Sequence, residues 1–309
     1  MEQSQASAKE KRNEAKSDFV ISAPSHALIE AIYRYQLVTC EQVRLACGYS
    51  KNSLRLVQKL LQALTVHEYV LTLSRPTLKG KAPFVYTLAR KGLQYLKAAG
   101  YDVRDSFRPS QERALENNYL FLTHTLALND VLISASRLVQ FAPNHSLFAF
   151  THERVLKRTP YKVEVSRNDK TETITLIPDA FLEFRHTKAN GREKRIPVLL
   201  ELDRGTTEQQ RFRKKIRAYI FLMRSGAYKE MFAAKTITVA FATTQGVRRV
   251  EQMRDWARKE CAASSEPGWL TEWFLFTALP PVLEPTKLFL GKVWFLPFDD
   301  KTPLALLPE

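Results

Sequence analysis

The sequence predicts an α+β protein with two domains, a helical N-terminal domain followed by a C-terminal domain built on a mixed sheet. The chain has 309 residues, 45% of which are apolar, and this is enough to bury two hydrophobic cores. Between residues 25 and 64, apolar residues recur with the period of helices. From residue 146 onward, strand-like runs alternate with helical patterns, which is typical of a sheet flanked by helices.

The charge of the chain favours a polyanionic partner. The formal net charge is +15 and the pI is near 9.7, and nucleic acid is the commonest partner of such a surface. A membrane surface is the alternative, but we find no basic amphipathic helix with a broad apolar face; basicity without a specific partner also stays open. No run of about 18 apolar residues predicts a membrane span. The three cysteines form neither a disulfide framework nor a CxxC pair, and the N-terminus lacks an apolar signal core, so we expect a reduced, cytoplasmic protein.

A helix-turn-helix order is predicted near the N-terminus. Residues 1–20 are polar and predict a disordered lead, and the apolar period then predicts a helix over 25–38. Thr39 is a suitable N-cap for a short second helix, which Gly48 terminates. Ser50 opens a third helix with one apolar stripe. The stripe consists of Leu54, Val57, Leu60, Leu61 and Leu64.

A basic hairpin follows these helices. Residues 69–76 and 84–89 are strand-like, the segment between them carries two lysines, and a further helix closes the unit. Three helices and a basic hairpin make a winged helix, predicted here over 21–100, which lays its third helix in the major groove and its wing against the backbone. The predicted DNA contacts are Lys51, Asn52, Arg55, Gln58 and Lys59 on the third helix and Lys79 and Lys81 on the wing. An ordinary polar helix face, and a winged helix that contacts another protein, are the alternatives.

The remaining chain is predicted to contain a connection and a second domain. Residues 101–145 are interpreted as a polar linker and a long helix, 117–140, that bridges the halves. From 146 to 309 we predict a mixed sheet flanked by helices. Its strands are predicted at 146–157, 173–185, 195–203, 235–244, 272–278 and 292–298, and its helices at 206–226 and 248–262. Neither GxGxxG nor GxxxxGK[ST] occurs, which excludes the common nucleotide-binding motifs.

Carboxylates stand in two adjacent predicted strands where packing would favour aliphatic residues. Asp179 follows Pro178 in one strand, and Glu201 and Asp203 end the next. A strand alternates its side chains, so Glu201 and Asp203 share a face, and a strand spacing of about 4.8 Å lets Asp179 converge with Glu201. Acids this close repel one another unless a cation lies between them, and oxygen ligands suit Mg²⁺ or Mn²⁺. Such a metal can activate water for phosphodiester hydrolysis.

This pattern resembles the PD-(D/E)XK nuclease fold over roughly residues 146–245. The resemblance implies that Asp179 and Glu201 ligate the metal and that Glu153 completes the site, with Asp203 as a further candidate ligand. The lysine that the fold carries two positions after the glutamate is Asp203 here. We therefore expect Lys215, one helical turn before Tyr219, to supply the catalytic positive charge, with Arg204 as second choice.

The order of the whole chain resembles a second family. The winged helix, "THTLALND", "IPDAFLEF" and "ELDRGTTEQQRFRKKIRAY" are similar to the replication-relaxation family of bacterial plasmid and mobile-element proteins, over most of residues 25–245. The resemblance implies a role in plasmid replication and DNA relaxation, with nicking or recognition of a nick site.

Three hypotheses follow from these patterns. The first is a metal-dependent DNA nickase or endonuclease that its winged helix directs to duplex DNA. The second is a DNA-binding replication or transcription factor with a degenerate nuclease-like domain, because the usual lysine is missing. The third makes Glu201, Asp203 and Arg204 an internal salt-bridge cluster with Arg211 or Arg213. A relaxase or replication protein is an expected partner, and so is a second copy of the chain, since helix 117–140 is long enough to supply a dimer surface.

Overall fold

The computed structural model describes residues 19–74, 82–103, 119–167, 170–263, 271–299 and 301–308. The predicted disordered lead lies almost entirely outside these residues, and the wing tip with Lys79 and Lys81 lies wholly outside them. The chain divides into two compact units, which we call unit 1 (Met1–Asn129) and unit 2 (Asp130–Glu309). Helices accompany a mixed sheet, so the predicted α+β class is confirmed. In the part of the chain that the structure describes, no helix is long and apolar enough to cross a bilayer.

Unit 1 begins with three helices whose ends are set by local capping. They are α1 (Ala23–Tyr35), α2 (Cys40–Ala46) and α3 (Leu54–Val66), and a 3₁₀ turn, Lys51–Ser53, leads into α3. At the start of α1, the Ser22 side chain accepts a hydrogen bond from the main-chain amide of Ser25. At α2, the side chains of Thr39 and Gln42 each accept a hydrogen bond from the other residue's amide, which makes a capping box.

A small antiparallel sheet and a fourth helix complete the described part of unit 1. The strands β1 (Val38–Thr39), β2 (Val70–Leu73) and β3 (Val85–Leu88) lie in the order β1-β3-β2, and α4 spans Arg90–Ala98. The sequence did not predict β1, because two residues are too few to show a period. The apolar stripes of the helices pack into a core. Its fully buried members include Leu28, Ile32, Val57, Leu61, Leu64 and Leu96.

The helix predicted over 117–140 is α5, which spans Tyr119–Arg137. Within unit 1, its first half packs in a buried cluster with residues of β2 and β3. The side-chain amide of Asn129 donates to the main-chain oxygens of Tyr35 and Leu37, at 2.9 and 2.7 Å. The division between the units falls directly after Asn129, so the first half of α5 belongs to the core of unit 1.

Unit 2 is built on a five-stranded mixed sheet. In chain order, its strands are β4 (His145–His152), β5 (Tyr161–Arg167), β6 (Lys170–Leu176), β7 (Ala180–Thr187), β8 (Glu193–Asp203), β9 (Thr238–Thr243) and β10 (Phe274–Ala278). The main sheet has the order β10-β9-β8-β7-β4, while β5 and β6 form a separate antiparallel hairpin. β8, β9 and β10 run parallel, and β7 is antiparallel to both β8 and β4.

One predicted strand is split and another ends earlier than expected, and both corrections concern candidate site residues. The predicted strand 173–185 is two strands, β6 and β7, because Pro178 has no amide hydrogen for a ladder and interrupts it. The sequence also missed β5, the partner of β6. The predicted strand 146–157 ends at His152, where Glu153 begins a one-turn helix. Asp179 and Glu153 therefore stand at strand ends and not within strands.

The helices that follow β4 in the described part of unit 2 are α6 (Glu153–Leu156), α7 (Gln209–Ser225), α8 (Tyr228–Met231), α9 (Val247–Ala262) and α10 (Pro285–Phe289). α7 ends at Gly226, whose φ of 70° is a left-handed conformation that favours glycine. Residues of α7 and α9 share one buried cluster with residues of β8, β9, β10 and the β5–β6 hairpin. The predicted strand 292–298 is reduced to isolated bridges made by Trp294 and Phe295.

Candidate active site

The candidate site lies where β8 ends, beside the chain that enters β7. Side chains alternate along β8, so Glu201 and Asp203 lie on the face that α7 and α9 cover. The main-chain amide of Asp179 donates to the oxygen of Leu200 at 3.1 Å, and its Oδ2 accepts the amide of Leu202 at 2.7 Å. The Asp179 side chain thereby continues the β7–β8 ladder by one hydrogen bond, which fixes it beside Glu201.

Glu201 is almost fully buried, and both of its carboxylate oxygens accept hydrogen bonds. Lys215 Nζ donates to Oε2, and the hydroxyl of Tyr219 donates to Oε1 at 2.5 Å. Lys215 and Tyr219 are one helical turn apart on α7, so they reach the same carboxylate. Burial and, to a lesser extent, the charge of Asp179 raise the pKa of Glu201, while Lys215 and Tyr219 lower it, and the net result is a pKa of about 7.

We call Asp179, Glu201, Lys215 and Tyr219 the acid cluster, and Lys215 is its cation. Burial by itself lowers the pKa of Lys215, but the negative charges of Glu201, Asp179 and Glu153 outweigh burial, so the pKa is raised above its ordinary value. The ammonium group therefore stays protonated at neutral pH. The side chain is 32% exposed, so this part of the cluster is open to solvent. A fixed positive charge beside two acids can hold a phosphate oxygen.

Asp203 belongs to a separate ion pair and does not join the cluster. Arg249 donates to Oδ2 through Nε at 2.9 Å and to Oδ1 through Nη2 at 3.0 Å. The amide of Gly205 and the hydroxyl of Thr243 also donate to Oδ2. Burial alone raises the pKa of Asp203, but these hydrogen bonds outweigh it and the pKa is lowered. Arg249 lies 46 residues further along the chain, and no local motif signals this pairing.

The four-carboxylate metal centre predicted from the sequence is not assembled. Glu153 forms an ion pair with Lys157 at 2.6 Å, and Asp203 faces Arg249. Within the described ranges, no three His, Cys, Asp or Glu side chains are grouped so that they could hold a metal ion. Asp179 and Glu201 are left as neighbouring carboxylate donors.

Two carboxylates still fit an ion that is shared with a substrate. Mg²⁺ binds through one or two carboxylates when water and phosphate oxygens complete its octahedron. Each oxygen of Glu201 has a second lone pair beyond the hydrogen bond that it accepts. The carboxylates of Asp179 and Glu201 are therefore chemically suited to Mg²⁺ or Mn²⁺, whereas Asp203 is held in its ion pair with Arg249.

Each acid at the end of β8 is paired with its own cation. Glu201 takes Lys215 and Asp203 takes Arg249, while Arg213 on α7 donates to the buried carboxylate of Glu260 at 2.7 Å. Of the arginines that the salt-bridge hypothesis offered, Arg213 therefore pairs with Glu260 and not with an acid of β8.

The predicted recognition residues lie on the surface of unit 1. Lys51, Asn52, Arg55, Gln58 and Lys59, in the 3₁₀ turn and along α3, are all exposed, and so are Leu56, Gln62 and Val66. The opposite side of α3 is buried in the core of unit 1. All five side chains therefore stand on one solvent-facing side of the helix and its leading turn.

Comparison with known proteins identifies a family. A family model described as replication-relaxation matches residues 29–239, a segment that runs from α1 into β9 and contains the acids and Lys215 of the candidate site. No curated protein and no solved structure matches the chain. Since the family model covers more than half of the 309 residues, the chain belongs to the replication-relaxation family.

Proposed function

We propose that the protein binds duplex DNA during the replication or mobilisation of a plasmid or mobile element, and that it nicks this DNA with Asp179, Glu201 and Lys215. Membership of the replication-relaxation family supports a role in replication or relaxation. The observation that carries the proposal is the ion pair between Lys215 and Glu201 beside Asp179. This ion pair brings a cation and two acids together at the end of β8. Lys215 thereby supplies the positive charge that the usual lysine supplies in a PD-(D/E)XK nuclease.

Unit 1 recognises the duplex in this proposal. It acts as a winged helix, with α3 in the major groove and the β2–β3 hairpin against the backbone. The support is that the five polar side chains of the leading turn and α3 are all exposed, while the other side of α3 is buried. Asparagine, glutamine and arginine are the side chains that bond in pairs to base edges.

The residues of unit 2 have distinct parts in cleavage. Asp179 and Glu201 would hold Mg²⁺ or Mn²⁺, and such an ion would supply Lewis-acid chemistry for the hydrolysis of a phosphodiester. Lys215 binds a phosphate oxygen and stabilises the negative charge that develops there. Tyr219 is a positioning residue, because it is fully buried and its hydroxyl holds Glu201. Glu201 binds a cation only when ionised, so a proton competes with the metal, and raising the pH through about 7 should favour metal binding.

A plasmid-nicking assay with matched variants tests the proposal. Purified protein is incubated with supercoiled plasmid and Mg²⁺ or Mn²⁺, and open circular DNA is quantified. Wild type should nick, and Asp179→Asn, Glu201→Gln and Lys215→Met should each lose at least about 10²-fold in rate. The control is Lys214→Met, the neighbouring lysine, whose surface pair with Glu172 is about half exposed at both ends; it should retain the wild-type rate.

A second candidate function, a DNA-binding replication or transcription factor that does not cut, is favoured by two observations. Asp203 stands where the nuclease pattern has its lysine, and the hydrogen bonds to Glu201 come from within the protein. Wild type would then leave plasmid intact with either metal while salt-sensitive duplex binding persists, and a relaxase or replication partner would supply the cut. A palindromic site would require a homodimer, measurable as a doubled mass by light scattering on the bound complex.

A further inference from the structure

A second basic hairpin extends from unit 2, where β7 turns into β8. The amide of Lys188 donates to the oxygen of Arg192 at 2.9 Å, and the amide of Gly191 donates to the oxygen of Lys188 at 2.8 Å. The Asn190 side chain accepts the amide of Arg192 at 3.1 Å, and Gly191 adopts a left-handed φ of 77°. The turn is closed by its own hydrogen bonds. It lies about 30 Å along β8 from Glu201, at about 3.3 Å per residue.

The strand register sorts the cations of this hairpin between two faces. His186 pairs with Lys194, and the turn hydrogen bond extends this register to Lys188 and Arg192. Residues opposite one another share a face, and so do residues two apart along a strand. Lys188, Arg192 and Lys194 therefore lie on one face of the hairpin, which we call the tip face.

The other face of the hairpin has its charges paired, whereas the tip face does not. Arg185 forms an ion pair with Glu193 at 3.2 Å, and Arg195 forms one with Glu183 at 2.5 Å. All three cations of the tip face are exposed. Among the residues that the structure describes, none of these three forms an ion pair with a carboxylate. The tip face is thus a concentration of uncompensated positive charge on a rigid turn.

A histidine pair beneath the tip face experiences this charge. The rings of His186 and His145 are stacked at 4.4 Å, and the Nδ1 atom of His186 is buried without a hydrogen-bond partner. Burial lowers the pKa of His186, and the positive charges of His145, Lys188 and Lys194 lower it further. An anion bound at the tip face would relieve this crowding of like charges.

We infer that Lys188, Arg192 and Lys194 form a second DNA-binding surface, which contacts the phosphodiester backbone of duplex DNA independently of sequence. Phosphate contacts from lysine and arginine supply affinity without base readout. The hairpin from 187 to 195 contains no large apolar side chain that would enter a bilayer, so its charge fits nucleic acid better than an anionic lipid surface. This surface is separate from the proposed recognition helix and from the acid cluster, and it does not require that the protein cut DNA.

Charge reversal in the full-length chain tests the inference. The triple variant K188E/R192E/K194E is compared with R248E/K287E/K301E, which reverses one arginine and two lysines that are exposed on other elements. Dissociation constants for short duplexes are measured by fluorescence anisotropy over a range of salt concentrations. The tip variant should bind every duplex at least about 10-fold more weakly, and the slope of log K against log salt should become shallower by about 3, since each lost phosphate contact contributes about 0.9. The control should keep the wild-type slope.

Two outcomes would overturn the inference. One is a tip variant whose affinity and salt slope match those of the control variant. The other is anionic phospholipid vesicles that displace bound duplex at equal charge concentration, since this would assign the face to a membrane. Saturation with duplex should also raise the pKa of His186, followed by the NMR shifts of its ring protons, and the tip variant should lack this response. If the wild-type protein does not nick plasmid but the tip variant still has the shallower salt slope, only the proposed cleavage is contradicted and the second DNA-binding surface stands.

Discussion

Glu201 and Asp203 are two residues apart on one face of β8, but their carboxylates are held in opposite ways. Around Asp203, two nitrogens of Arg249, a main-chain amide and a hydroxyl donate hydrogen bonds, and the pKa falls. Around Glu201, burial and the charge of Asp179 prevail over one ammonium and one hydroxyl, and the pKa rises to about 7. The first carboxylate is a structural anion, and the second can change its protonation state at neutral pH.

The nicking rate should therefore depend on pH through Glu201. Its raised pKa means that the protonated form dominates below about 7, where the carboxylate is a poor metal ligand. At metal concentrations that leave the site mostly empty, the initial rate at constant ionic strength should rise with pH through an apparent midpoint near 7, a value that belongs to the coupled cluster. Tyr219→Phe removes a hydrogen bond that lowers this pKa, so it should move the midpoint upward. A rate that is flat across this range in both proteins would contradict the assignment.

The ion pair of Asp203 should contribute to stability rather than to cleavage. Asp203→Asn leaves the largely covered side chain of Arg249 without its carboxylate, and the free energy of unfolding in urea at neutral pH should fall by about 3 kcal/mol. Because the pKa of Asp203 is lowered, this stabilisation is present above the ordinary value of 3.8 and is lost as the pH falls through the folded-state pKa. The matched control Glu172→Gln, in an exposed pair, should change stability by less than about 1 kcal/mol. Equal losses in the two variants would contradict the distinction.

At the scale of elements, α7 is the helix that completes the candidate site. Its apolar residues Phe212 and Ile216 lie in the core with β9, while Lys215 and Tyr219 reach Glu201. The helical period of 3.6 residues lets one helix present both a packed stripe and two site groups one turn apart. The neighbouring Lys214 pairs with Glu172 at the surface. Two consecutive lysines of α7 therefore differ in role, since Lys215 belongs to the candidate site and Lys214 is solvated.

The helix α3 should set the sequence preference of unit 1. Arg55 is exposed on α3 and can bond in pairs to a guanine. Arg55→Ala should reduce discrimination between the preferred duplex and an unrelated one by about 1–3 kcal/mol, measured as the ratio of their dissociation constants. Arg248→Ala, an exposed arginine on α9, is the control and should preserve the ratio. A preserved ratio in Arg55→Ala, with wild-type affinity, would remove this residue from recognition.

The charge of the whole molecule has its own consequence. A formal charge of +15 on 309 residues attracts any duplex at long range, and the tip face and α3 would then divide the short-range contacts between the two units. Neither unit needs a sequence-specific contact for this first step.

Binding to a duplex of unrelated sequence should therefore be strongly sensitive to salt. Even three or four phosphate contacts predict a loss of about 10²-fold in affinity between about 50 and about 200 mM monovalent salt. Anisotropy titrations at several salt concentrations measure the slope. Affinity that hardly changes over this range would mean that charge neutralisation is not the basis of binding.

The sequence was most informative where structure is local. The helices of unit 1, the stop of α7 at Gly226 and the polar face of α3 follow from apolar periods and capping residues, which act within a few positions. The sequence was less informative where the contacting residues are far apart along the chain. Pro178 splits a run that was predicted as one strand into β6 and β7, and β5 was missed because its pairing partner β6 was not recognised as a separate strand.

Composition, charge and the order of elements thus determined from sequence alone that this is a basic α+β protein with acids at the end of a strand. Which acid faces which cation was decided only by the tertiary structure. Lys215 is 14 residues from Glu201 and Arg249 is 46 residues from Asp203, and those distances close only when α7 and α9 pack on the sheet. Burial then sets the protonation of each carboxylate, because the cost of an ionised group depends on the charges and hydrogen bonds that folding brings around it.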